Sequence, residues 1–194
     1  MPGKKHRALA VIGAALIASA FVVPGAQAAE DPTQVTINAG VLSLGDILVG
    51  DFDALNVTGT EQETKATMDP FTVSDLRGGA GAGWQLTAQA SQFTSLGGNT
   101  IPTGSLEMLA PAVDPQSILD NVAAPPIPAT GPHTLDNGSA STIATAAAGV
   151  LGLPSGTGDW TFLNVADSLT LTVPADVIPY TYSSTVTMTV SAAP

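Results

Sequence analysis

Residues Trp84-Gln85-Leu86-Thr87-Ala88-Gln89-Ala90 put Trp84, Leu86, Ala88 and Ala90 on one side of the chain and Gln85, Thr87 and Gln89 on the other. A period of two is the mark of a half-buried antiparallel strand. The pattern recurs in both directions from this segment. Upstream, Phe71 and Val73 alternate with Thr72 and Ser74, and Val35 and Ile37 with Thr36 and Asn38. Downstream, Leu169, Leu171 and Val173 oppose Ser168, Thr170 and Thr172. Val186, Met188 and Val190 likewise oppose Thr185, Thr187 and Thr189. Threonine suits the outer side, because its branched carbon packs on a pleated surface while its hydroxyl meets water.

Turn residues separate these runs. The glycine-rich residues 78–83 fall between a strand ending near Asp75 and one starting near Trp84, and read as a hairpin connection. Residues 96–99 and 155–158 mark further turns. Residues 111–132 hold six prolines and read as an extended segment crossing the sandwich, since proline cannot donate to a central ladder. Residues 140–151 (ASTIATAAAGVL) fit either the one helix of the chain or a pair of buried strands. The fold expected is all-β: a single antiparallel β-sandwich, Ig-like or related, with a proline-rich crossing segment.

Composition narrows the functions open to such a fold. The 194 residues include 16 Asp and Glu against 5 Lys and Arg, and no cysteine. Disulfides, zinc–thiolate sites and thiol nucleophiles are thereby excluded, and the acidic balance argues against nucleic acid as a partner. The N-terminus reads as an export leader. Lys4, Lys5, His6 and Arg7 precede an uncharged apolar run over residues 8–23, broken by Pro24 and Gly25, and Ala26-Gln27-Ala28 supplies the small residues a signal peptidase reads. The run is short of the ~20 residues that span a membrane. Cleavage is expected after Ala28, dividing the chain into a leader over 1–28 and a domain over 29–194 with no transmembrane segment. The absence of a following cysteine excludes a lipid-anchored product. Without the leader, Lys65 and Arg77 are the only cations against sixteen acids, a formal charge of −14.

No catalytic pattern stands out. The glycines of residues 78–83 lack both the third glycine of a dinucleotide fingerprint, where Trp84 stands, and the helix that should follow. The pairs Asp51/Asp53 and Glu61/Glu63 have the spacing of solvated strand edges, with nothing to perturb a pKa or form a cleft. Asp51, Asp53 and Asn56 are weak candidates for a calcium ion, offering hard oxygen ligands without EF-hand spacing. His133, alone in the domain, is expected to be a solvated loop residue, and no nucleophile elbow accompanies it. Leu153-Pro154-Ser155-Gly156-Thr157-Gly158 has one residue too many for a covalent wall-sorting signal and reads as a turn. Trp84 and Trp160 are candidates to stack on sugar rings, although the alternation around Trp84 favours a core position.

The stretch around Trp84 resembles the first signature of the WxL domain, a surface domain of Gram-positive bacteria. The matching residues are Asp75, Arg77, Gly78, Gly83, Trp84, Leu86, Phe93 and Thr94. Residues 147–160, Leu171-Thr172-Val173-Pro174 and residues 182–194 are similar to the family's glycine turn, Leu-x-Val-Pro strand and last strand. Met188-Thr189-Val190 stands where the family usually repeats Trp-x-Leu. The resemblance implies a secreted, non-enzymatic protein held non-covalently at the cell wall by binding peptidoglycan. The alternative it leaves is a structural or adhesive subunit that binds another surface protein. Trp84, Leu86, Arg77, Asp75, Trp160 and Met188 become candidates for wall or partner binding, with no resident cofactor beyond the weak calcium option. Arg77 and Asp75 either meet a ligand or interface, or simply lock their turn.

Overall fold

The alternating segments form strands that pair antiparallel in every ladder. The computed structural model describes residues 35–78, 83–148 and 155–193, and the expected leader lies outside them. In chain order the elements are β1 (Leu42–Leu44), β2 (Gln62–Ala66), β3 (Phe71–Asp75), β4 (Trp84–Ala90), β5 (Thr94–Ser95), β6 (Leu106–Met108) and β7 (Ala112–Val113). Then come α1 (Pro115–Asp120), β8 (Ile127–Pro128), β9 (His133–Thr134), β10 (Ser141–Ala146), β11 (Gly158–Leu163), β12 (Leu169–Val173), β13 (Tyr182–Ser183) and β14 (Val186–Ala192). No helix among the described residues is long and apolar enough to cross a membrane.

Three four-stranded sheets run β1-β3-β11-β7, β2-β12-β6-β9 and β14-β4-β10-β8, with β13 and β5 as a separate pair. The first two are halves of one bent sheet, because β2 leads into β3, β6 into β7 and β11 into β12. Pro70 and Pro111 stand in two of the breaks and cannot donate to a ladder. Asp167, at φ 59°, marks the third. Side chains bridge the bend: the Ser168 hydroxyl accepts from the Met68 N–H at 3.0 Å, and the Thr67 hydroxyl from the Asp167 N–H at 3.1 Å. Ser168 is therefore buried, not on the solvent side where strict alternation puts it.

The bent sheet packs on the β4 sheet to make the sandwich. Trp84 of β4 meets Phe162 of β11 edge-on at 6.4 Å, and Phe162 stacks on Phe71 of its neighbour β3 at 5.3 Å. Trp84, Leu86, Ala88 and Ala90 are all buried, as are Phe71, Val73, Leu169 and Leu171. Each fully buried large side chain contributes about 1.5–3 kcal/mol by leaving water.

Four further expectations need correction. Val35 and Ile37 form no strand and lie exposed. Residues 111–132 are not one extended crossing: they contain β7, helix α1 and β8, and both strands are sheet edges, where proline is tolerated. The one helix among the described residues sits here, capped by the Asp114 carboxylate on the Gln116 N–H with Pro115 opening the first turn. Of the two readings left open for residues 140–151, the structure takes the strand at residues 141–146 (β10), while residues 149–151 lie outside the described residues. The connection from β3 to β4 is no hairpin, because the two strands belong to different sheets; its residues 79–82 lie outside the described residues. His133 is not a solvated loop residue. It sits on β9 opposite Met108, 9% exposed, and its Nε2 has no partner.

Candidate functional site

The signature residues converge where the β3–β4 crossover leaves one sheet and enters the other. Asp75 ends β3 almost fully buried. Two residues on, Arg77 turns back on it: Nε donates to Oδ1 at 2.8 Å and Nη2 to Oδ2 at 2.9 Å, and the Arg77 backbone N–H also reaches Oδ1. Nη2 further donates to the carbonyl of Gly83 at 3.3 Å. The guanidinium thus ties both ends of the crossover, using its planar fork on a carboxylate. Burial of Asp75 disfavours its charged form. The hydrogen bonds and charge of Arg77 outweigh that cost and hold the carboxyl below the usual aspartate range. Those bonds also raise the Arg77 pKa further.

Glycine at 83 follows from crowding, since a Cβ there would collide with the backbone of Ala146 and Ala148. That closeness lets β4 start directly beside the end of β10, where Trp84 pairs with Ala146. The Trp84 indole N–H donates to the Gly156 carbonyl at 3.0 Å. Gly156 has φ 70°, and a Cβ there would stand 2.7 Å from the indole nitrogen.

The six candidate binding residues therefore divide. Asp75, Arg77 and Trp84 are brought together through Gly83. Leu86 and Met188 lie deeper along the same sheet, where β14 places Met188 opposite Ala88 and Val190 opposite Leu86. Trp160 sits apart on β11, opposite Val73. Trp84, Leu86 and Trp160 are 0% exposed, so neither indole offers a face to solvent. Met188 is also buried. Only Arg77, with its side chain 21% exposed, reaches the surface, beside the exposed Leu76.

The remaining candidates are scattered. Asp51, Asp53 and Asn56 lie exposed ahead of β2, where the Asp53 carbonyl accepts from the Thr64 hydroxyl at 2.7 Å. Glu61 and Glu63 are exposed as well. Among the described residues, no three His, Asp or Glu side chains gather as a metal site would need. Sequence reasoning passed over an apolar groove of about 520 Å³ between β7 and β8, whose floor includes the buried prolines Pro111 and Pro126. The prolines were visible, but the groove exists only once those two edges are placed side by side.

Compared with known proteins, residues 24–194 match the family model described as WxL domain, surface cell wall-binding. Comparison with curated proteins and with solved structures gives no significant match. The matched span takes in every described strand, including the Asp75–Arg77 lock and the Trp84 anchor, and the chain belongs to the WxL domain family of surface cell-wall-binding proteins.

Proposed function

We propose that the chain is exported by its N-terminal leader and that the sandwich then associates non-covalently with peptidoglycan, acting by binding rather than by catalysis. The family match across 24–194 carries this reading, because it covers the whole sandwich and assigns wall binding to it. The processed domain's charge of −14 is repelled by anionic wall polymers. Apolar and hydrogen-bonding contacts, or bridging divalent cations, then hold it. Arg77 and Leu76 are the contact we favour at the signature end, with Asp75 and Trp84 holding that end in shape from beneath and Leu86, Trp160 and Met188 packed in the core.

Co-sedimentation of the processed protein with purified sacculi, with calcium and with a chelator, tests this. Binding that survives high salt is expected, and binding lost only with the chelator would assign it to bridging cations. No co-sedimentation in either condition would overturn direct wall binding. Release of soluble sugar or peptide from the sacculi would overturn the non-catalytic reading.

A further inference from the structure

We propose that the groove between β7 and β8 is a docking site for a cationic, partly apolar segment of another protein, independent of the wall-binding reading. The two sheets meet at one side where β1 packs on β14, and at the opposite side β7 and β8 are their outer strands. The groove occupies that opposite side, beneath Ile118 of α1. In the segment that joins β7 to β8, Leu119, Val122 and Ile127 are also exposed, at 78%, 96% and 67%.

The backbone chemistry defines what fits. Ala129 donates to Ile143 and Asp114 to Thr161, so those residues face their ladder partners. By alternation Pro111, Val113, Pro126 and Pro128 turn their main-chain groups away from the ladders. Three of the four are prolines with no N–H, so Val113 keeps the one outward donor against four outward carbonyls. A strand added to either edge needs alternating donors and acceptors, and these edges do not supply them. The occupant must instead bring its own donors.

Charge points the same way. Among the described residues no charged side chain lines the groove, and the ionisable groups of the flanking segment, Asp114 and Asp120, are both acids. A second copy of a domain at −14, with two cations in all, has little to offer such a rim. Among the described residues the lining also lacks an aromatic platform for sugar and has one hydroxyl, on Thr130. A polypeptide carrying Lys or Arg among apolar residues supplies donors, positive charge and apolar surface together.

The processed, ¹⁵N-labelled protein would be titrated with three synthetic peptides of equal length: one alternating Lys and Leu, one with Glu replacing each Lys, and one with Ser replacing each Lys. Soluble muropeptides form a fourth arm. The Lys peptide alone is expected to move the amides of Ala112, Val113, Ala129 and Thr130, less so as salt rises. Ala112→Lys should weaken it by about fivefold or more, as a charge placed against an interface does. Asp176→Asn, an equal change in net charge at an exposed site off the groove, should not. If Ala112→Lys melts early, Thr130→Lys serves instead. Shifts spread over the acidic surface, equal loss in both variants, similar binding of all three peptides, or no binding would each overturn the proposal. So would muropeptides moving the groove amides. Sacculus binding in these variants reports separately on the wall reading.

Discussion

The Trp84 indole N–H and the Gly156 carbonyl meet at 3.0 Å, joining the first residue of β4 to the turn that precedes β11 of the facing sheet. The ring therefore does two things: it fills the core against Phe162, and it fixes the spacing between the sheets at the signature end. Trp84→Ala should cost about 3–5 kcal/mol, the range for deleting a buried aromatic. Trp84→Phe keeps most of the apolar area but strands the Gly156 carbonyl, and should cost about 1–3 kcal/mol. Urea unfolding of the two variants checks this; a Trp84→Phe variant as stable as wild type would show that the hydrogen bond contributes nothing.

The same contact sets Gly156 apart from the uncrowded left-handed glycines. Gly104 and Gly138 have φ of 88° and 83° with open space where a Cβ would stand. Alanine there should cost about 1 kcal/mol, the backbone strain alone. At Gly156 the Cβ would also press on the Trp84 ring and the Ala146 side chain. Gly156→Ala should exceed the other two by at least about 1 kcal/mol, since overpacking adds to the strain. Thermal unfolding of the three variants side by side gives the comparison.

Asp136 has a second structural role, away from the signature. Its buried carboxylate accepts the backbone N–H groups of Gly104, Ser105 and Leu106 at 2.9, 3.2 and 3.1 Å. Asp136→Asn turns an acceptor into an NH₂ facing those donors, and should destabilise by about 2–3 kcal/mol. Hydrogen exchange should show Leu106 losing protection before β4 does. Uniform loss across both strands would mean the turn is not an independent unit.

How far these features could be read from the sequence depends on their range. The burial of Trp84, Leu86, Ala88 and Ala90 was legible because one strand's alternation reports on its own two sides. Residues 141–146 were not, because a bulge between Thr142 and Ala144 buries Ile143 and Ala144 in succession and breaks the period. The Asp75–Arg77 spacing allowed a turn lock, but the Gly83 carbonyl that completes it depends on β3 and β4 lying in different sheets. Val35 and Ile37 show the converse: alternation without a strand to pair with leaves both side chains in water.

The Asp75–Arg77 pair gives stability a defined pH dependence. Asp75 titrates lower in the folded protein than in the unfolded chain, so the unfolded state binds the extra proton as pH falls. The contribution is complete above the unfolded aspartate pKa of about 3.9 and is lost as pH drops through the lower folded value. Asp75→Asn lacks this titration. The stability gap between wild type and Asp75→Asn should hold steady from neutral pH to about pH 5 and narrow below about pH 4. Arg77→Gln removes the guanidinium hydrogen bonds and charge that lower the Asp75 pKa, leaving the backbone N–H bond and the burial that raises it. Acid should then stabilise Arg77→Gln relative to wild type, because wild type alone loses the stability linked to a lowered carboxyl pKa. Urea midpoints across that pH range decide it, and a constant gap at every pH would show that the pair carries no linked proton.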